Sequence, residues 1–214
     1  RTPFSWRRAN PLGSLAFLRA DRHVRGFAAL QFLFQLAHQS LQSVFVLYTA
    51  YRYGWQSAQV GFALAVMGVS SVIVQGGLVG PIVSRLGERR TVLAGLGAGT
   101  IGFAMYALAP TSALFLAGIP VMALWGLYTP AAQGLVTRHV PPTQQGALQG
   151  ALASVTMMTG LVGPVIFTQT FALAIGRFRA AGLPGAPYLL ASILVVAALA
   201  LAVRVARPPA PPVG

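Results

Sequence analysis

The sequence predicts an all-α integral membrane protein with six transmembrane helices, on three observations. Only 8% of its 214 residues are charged and 56% are hydrophobic. A soluble domain carries about 25% charged residues, so there is too little charge here to cover a water-facing surface. Six apolar runs, 24–49, 58–79, 91–109, 112–137, 146–172 and 187–205, keep Asp, Glu, Lys and Arg at their ends, and each reaches the ~20 residues that cross hydrocarbon with tilt. The charge is also sorted by side. All fifteen basic residues are Arg. Six crossings put Arg1, Arg7, Arg8, Arg19, Arg22, Arg25, Arg85, Arg89, Arg90, Arg138, Arg204 and Arg207 on one side, with Arg52, Arg177 and Arg179 on the other. An excess of that kind marks the cytoplasmic side, so both termini are expected there.

Residues 1–23 mix Arg with Phe4, Trp6, Leu15 and Phe17 and lack an uninterrupted apolar core. They read as a cytoplasmic linker with an amphipathic segment on the inner membrane surface, not as a cleavable signal. The chain begins at Arg1 rather than Met, as expected of a piece of something longer. The helical bundle is expected over 24–206, followed by a disordered Pro-rich tail, 207–214.

The first run contains QFLFQLAHQSLQ, Gln31 to Gln42. At about 100° per residue, with Gln31 at zero, Gln35 falls at ~40°, His38 at ~−20°, Gln39 at ~80° and Gln42 at ~20°. All five polar side chains share one stripe. Lipid cannot satisfy such groups, so the stripe faces protein or water. Two readings stand: hydrogen-bonded glue between helices, or the wall of a water-filled passage, which five polar residues over three turns favour.

The second run carries Gln75. A connector, 80–90, is rich in Arg and Gly. The third run places Gly95, Gly99 and Gly102 at spacings that allow close helix contact. The fourth holds Pro120, Trp125, Tyr128, Pro130 and Gln133, and the fifth holds Thr156, Thr159 and GLVGP at Gly160–Pro164. These prolines and glycines are joints on which one helical bundle can rock against another.

The absence of Cys removes disulfides and thiol metal sites. Without Lys there is no P-loop and no Schiff base. Asp21 and Glu88 are the only acids, and neither lies in a span where a metal site or carboxylate dyad could form. No cofactor and no enzymatic activity are expected. Ser71, in GVSS, would need a histidine on a facing helix to act as an intramembrane protease nucleophile. Nucleic acid is not an expected partner either, because the Arg residues do not cluster on a soluble face.

The connector reads GPIVSRLGERRTVL, Gly80 to Leu93. It resembles the second copy of the major facilitator signature, Gly-x-x-x-Asp-Arg-x-Gly-x-Arg-Arg. Gly80, Arg85, Gly87, Arg89 and Arg90 match, and Ser84 stands at the Asp position. Further segments match in order: VLYT and RYGW (Val46–Trp55), VGFALA (Val60–Ala65), PAAQG (Pro130–Gly134), and GALQGALASVT leading to GLVGPVIFT (Gly146–Thr168). From about residue 10 to 205 the chain resembles the C-terminal half of the tetracycline/proton antiporters, a drug-efflux branch of the major facilitator superfamily.

The resemblance implies half of a twelve-helix fold, helices seven to twelve, in a bacterial inner membrane, with the stripe in a helix that borders the central cavity. It matches Gln35, Gln39, Gln75 and Gln133 to family positions. It also places Ser71 and Gly99 where that branch carries a His and an Asp used in tetracycline transport. The expected function is secondary active transport, a proton-coupled efflux of a small amphipathic or drug-like compound. An uncoupled facilitator, a solute importer or a non-transporting truncated module remain alternatives. The substrate pathway is assigned to Gln31, Gln35, His38, Gln39, Gln42, Gln75, Trp125, Tyr128 and Gln133, with His38 as the titrating group. The Gly80, Arg85, Gly87, Arg89 and Arg90 turn is assigned to gating. Expected partners are the small-molecule substrate, protons, membrane lipid, and an N-terminal six-helix half or a second copy of the chain.

Overall fold

In the computed structural model, residues 22–138 and 140–205 are described. The linker 1–23, apart from its last two residues, and the tail 207–214 lie outside them. The described chain is helical: α1 (Arg22–Tyr53), α2 (Ser57–Val72), a π-helical stretch (Ile73–Leu78), α3 (Val79–Leu108), α4 (Ser112–Ala123), a 3₁₀ stretch (Leu124–Leu127), α5 (Tyr128–Arg138), α6 (Gln145–Ile175) and α7 (Ala186–Val205). Helix is the only way to close every backbone hydrogen bond within an apolar segment.

Among the described residues, four helices are long and apolar enough to cross a membrane: Ser57–Leu108, Ser112–Arg138, Pro142–Ile175 and Ala186–Val205. This departs from the expectation of six separate apolar spans for two reasons. The Gln and His stripe lowers the hydropathy of α1, which is 32 residues long. The connector 80–90 is also largely helical, so the spans on either side of it run on as one stretch. Helix continues through it and breaks only at Gly87, whose φ of 77° and ψ of 161° are non-helical. A positive φ is strained for any side chain but free for glycine.

The chain must reverse at Gly87. Gln75, before it, lies beside Gly126, where an added Cβ would sit 3.8 Å from its Cγ, while Gly99, after it, lies against the neighbouring Trp125. In an unbroken helix those two positions would be about 36 Å apart. The reversal is tied down by the side chain after it. Glu88 lies over Gly134, where an added Cβ would sit 2.6 Å from its Oε1, and accepts from Arg138 Nη2 at 3.0 Å. The turn after α2 and the end of α5 thus share one end of the molecule.

The other end is aromatic. Tyr48 Oη donates to the carbonyl of Tyr106 at 3.0 Å, Tyr53 Oη to that of Ala109 at 2.8 Å, and Trp55 Nε1 to Ser112 Oγ at 3.0 Å. Phe115 stacks on Tyr106, with ring centroids 4.3 Å apart. These bonds join the α1–α2 turn to the α3–α4 turn. Gly185, before α7, meets the carbonyl of Ala107 so closely that any Cβ would collide with it.

Packing follows from these constraints. α1 lies on α6 and α7, α3 on α4, α5 and α7, and α2 touches α4. Lipid gives helices no hydrophobic drive to associate, so close contact and interhelical hydrogen bonds hold them. Along α3, Gly95, Gly99 and Gly102 meet Tyr128, Trp125 and Met122 in antiparallel register. The α2 side is sparsely covered. Phe62, Val69 and Val72 are more than half exposed, as are Met157 and Leu161 on α6.

Candidate functional site

Three departures from regular, apolar helix converge on one cavity of about 550 Å³. The first is the polar stripe of α1. The second is the π-helical stretch Ile73–Leu78, which holds the Gly76–Gly77 pair and carries Gln75; such bulges recur at functional sites. The third is the 3₁₀ stretch, set between Pro120 and Pro130, which presents Trp125. The last two face each other through Gln75 and Gly126.

Gln35, His38, Gln42, Ser71, Gln75 and Thr129 supply the polar lining. Phe34, Phe45, Leu64, Met67 and Met122 supply much of the apolar wall. Neither a carboxylate nor a guanidinium reaches this lining among the described residues. The site can therefore grip a ligand by apolar contact and neutral hydrogen bonds. Of the lining groups, His38 alone changes protonation near neutral pH by its ordinary chemistry.

The stripe divides by angle. Gln39, at one edge, packs on Gly163 of α6, where an added Cβ would sit 2.6 Å from its Cβ. Gln35, next to it, donates from Nε2 to Thr156 Oγ1 at 3.2 Å and also reaches the cavity. Gln42 lies in the middle and is exposed. Gln31 accepts from Tyr128 Oη at 3.2 Å. His38, at the far edge, meets Trp125 with ring centroids 5.6 Å apart and a tilt of 52°. Interhelical bonding and cavity lining are both present in one stripe, and Gln35 does both.

The remaining assigned residues are dispersed. Tyr128 is buried and stacked on Phe34, with centroids 4.0 Å apart, so it supports the wall from behind. Gln133 is exposed on α5, and Gln133, Gln31, Gln39 and Tyr128 do not line this cavity. In the turn, Gly80, Arg85 and Arg90 are exposed and Arg89 is half-buried. Sequence reasoning passed over Thr129 and the Glu88–Arg138 pair. A lone acid inside an Arg-rich turn, with a lone Arg closing α5, was the available signal for that pair. Position 99 has no room for a side chain beside Trp125 as placed.

A family model for the Major Facilitator Superfamily matches residues 27–214. The class G tetracycline resistance protein of Vibrio anguillarum is 36% identical over 76% of this chain and 42% of its own length. The class B protein of Escherichia coli is 38% identical over 66% of this chain and 35% of its own. The human Hippocampus abundant transcript-like protein 1 is 28% identical over 78% of this chain and 33% of its own. Among solved structures, the human organic anion transporter MFSD10 (TETRAN) superposes with a TM-score of 0.78 at 19% identity, over 94% of this chain and 49% of that one. The last likeness concerns the fold alone. The chain spans less than half the length of the curated relatives it matches.

Proposed function

The chain belongs to the major facilitator superfamily, and from that premise we propose that it is the six-helix half of a proton-coupled exporter of small amphipathic molecules. Six crossings follow if α1 spans despite its stripe and Ser57–Leu108 spans twice about Gly87. Arg25, Arg85, Arg89, Arg90, Arg138 and Arg204 then lie at one end, with Arg52, Arg177 and Arg179 at the other. The Arg-rich end is the cytoplasmic one by the positive-inside rule, in the inner membrane of a bacterium.

The observation that carries the transport reading is the cavity. It is mostly apolar, holds six dispersed neutral polar groups, and contains one group suited to proton exchange. The aromatic surface of Trp125 and Phe34 accepts flat hydrocarbon, while Gln35, Gln42 and Gln75 orient polar edges. A matching N-terminal half closes the open side. The turn at Gly87, clasped by Glu88 and Arg138, holds α3 to α5 on the cytoplasmic side and opens as the halves rock. An ion pair with one exposed partner is worth at most about 1 kcal/mol, weak enough to part on every cycle. The tetracycline resistance relatives support efflux of a drug-like compound; tetracycline itself is disfavoured by Ser71 and Gly99.

The test is dye retention. Cells making the full-length transporter are expected to accumulate less Hoechst 33342 than vector controls, and a protonophore should abolish the difference. Equal accumulation would count against export, and lower accumulation unaffected by the protonophore would count against proton coupling.

A further inference from the structure

The three glycines of α3 that face the 124–128 region do not do the same work. At Gly95 an added Cβ would lie 2.8 Å from the backbone nitrogen of Tyr128, and at Gly102 it would lie 3.1 Å from Cα of Met122. Side chains there would force backbones apart. At Gly99 the three nearest atoms all belong to one side chain. The added Cβ would strike Cδ1 of Trp125, with Cγ and Nε1 each 2.8 Å away. The pyrrole edge of the indole is seated in the notch that glycine leaves.

The indole is held on its other sides. Phe34 stands 4.4 Å away and Phe103 5.0 Å away, centroid to centroid, and His38 stands 5.6 Å away. Trp125 is only 4% exposed, yet it belongs to the cavity wall. A side chain that fills the notch must therefore move the ring, and because Phe103 is fully buried and packed walls do not yield, the open direction is towards the cavity that Trp125 lines.

We propose that Gly99 is the positioning residue that sets the bore of this cavity, and through it the size of molecule carried, by seating the indole of Trp125. The size limit for transport rests on the cavity being the passage; the bore itself does not. Depth at position 99 and bulk at position 125 compensate one another, so the pair acts as one determinant.

The chain contains no Cys, which allows a test independent of any substrate. In the full-length transporter, with cysteines outside this chain replaced by Ser, a Ser71→Cys thiol on the cavity wall is labelled by a small methanethiosulfonate and by bulky fluorescein maleimide. Adding Gly99→Ala should slow the bulky reagent relative to the small one by about tenfold, the scale on which one added methylene discriminates in a packed pocket. Adding Trp125→Phe as well should restore the ratio. A ratio unchanged by Gly99→Ala, or one that Trp125→Phe does not restore, overturns the proposal. If Gly99→Ala does not fold, judged by a lost monodisperse peak in detergent, Trp125→Phe alone must raise the bulky-to-small ratio; no rise overturns it. A transporter that moves no dye but obeys these ratios would refute the export reading and leave the bore assignment standing.

Discussion

Replacing Gln35 and Gln39 together by Leu is expected to lower dye export to about a tenth or less while the amount of transporter in the membrane stays the same. Little folding energy depends on these amides, since interhelical polar contacts in membranes average ~0.6 kcal/mol. Thr156 keeps its own bond to the carbonyl of Leu152 at 3.1 Å, so losing Gln35 strands no hydroxyl. Leu at position 39 still fills the notch over Gly163. What disappears is the donor and acceptor that Gln35 offers to the cavity, and the anchor that fixes α1 against α6. Transport should fall with insertion intact, read as dye efflux normalised to membrane-extracted protein. Loss of both together would mean that the glutamines serve folding alone.

His38→Gln is expected to separate binding from coupling. Glutamine keeps hydrogen-bonding capacity at the cavity edge but cannot exchange a proton. Among the lining residues of this half, no carboxylate can take over the task. Uphill export driven by a pH gradient should fall by about two orders of magnitude, the lower end of what a positioned proton-transferring side chain contributes. Downhill equilibration of preloaded dye should continue. The wild type should show a rate that varies across ~pH 5–8, where histidine changes charge, and the variant a flat one. Uphill export retained by the variant would move proton exchange elsewhere in the full-length protein.

The helical projection of α1 was the most informative part of the sequence. It gave the stripe, and its angular order survives in the structure: Gln39 at one edge meets α6, Gln42 in the middle is open, and His38 at the other edge meets Trp125. Periodicity could not say which neighbours those edges would find, because they belong to segments more than 80 residues away. Projection also fails beyond irregular turns. Gln75 sits on a π-helical stretch and Gln133 follows a 3₁₀ stretch and Pro130, so a 3.6-residue repeat does not carry across to either. One faces the cavity and the other lies exposed on α5.

The Gly87 turn illustrates the same limit. Its Gly and Arg spacing marks a tight turn within 80–90, but not that the chain keeps helix to Leu86 and turns at Gly87 alone. Glu88 looked like a filler position between matched ones, yet it makes the bond to Arg138. Pairings of this kind depend on distance through space, which one sequence does not supply. Gly99 read as a small residue for close helix contact, and it is one. Only the placement of Trp125 reveals that the contact is with a side chain of the cavity wall.

Substrate-driven proton movement tests the central claim most directly. The full-length transporter is reconstituted in proteoliposomes with an imposed pH gradient and an internal pH-sensitive dye, and Hoechst 33342 is added. The account predicts that the compound accelerates collapse of the gradient in the wild type and does nothing in His38→Gln. Equal acceleration in both, or Hoechst 33342 moving across wild-type membranes without protons, would contradict it.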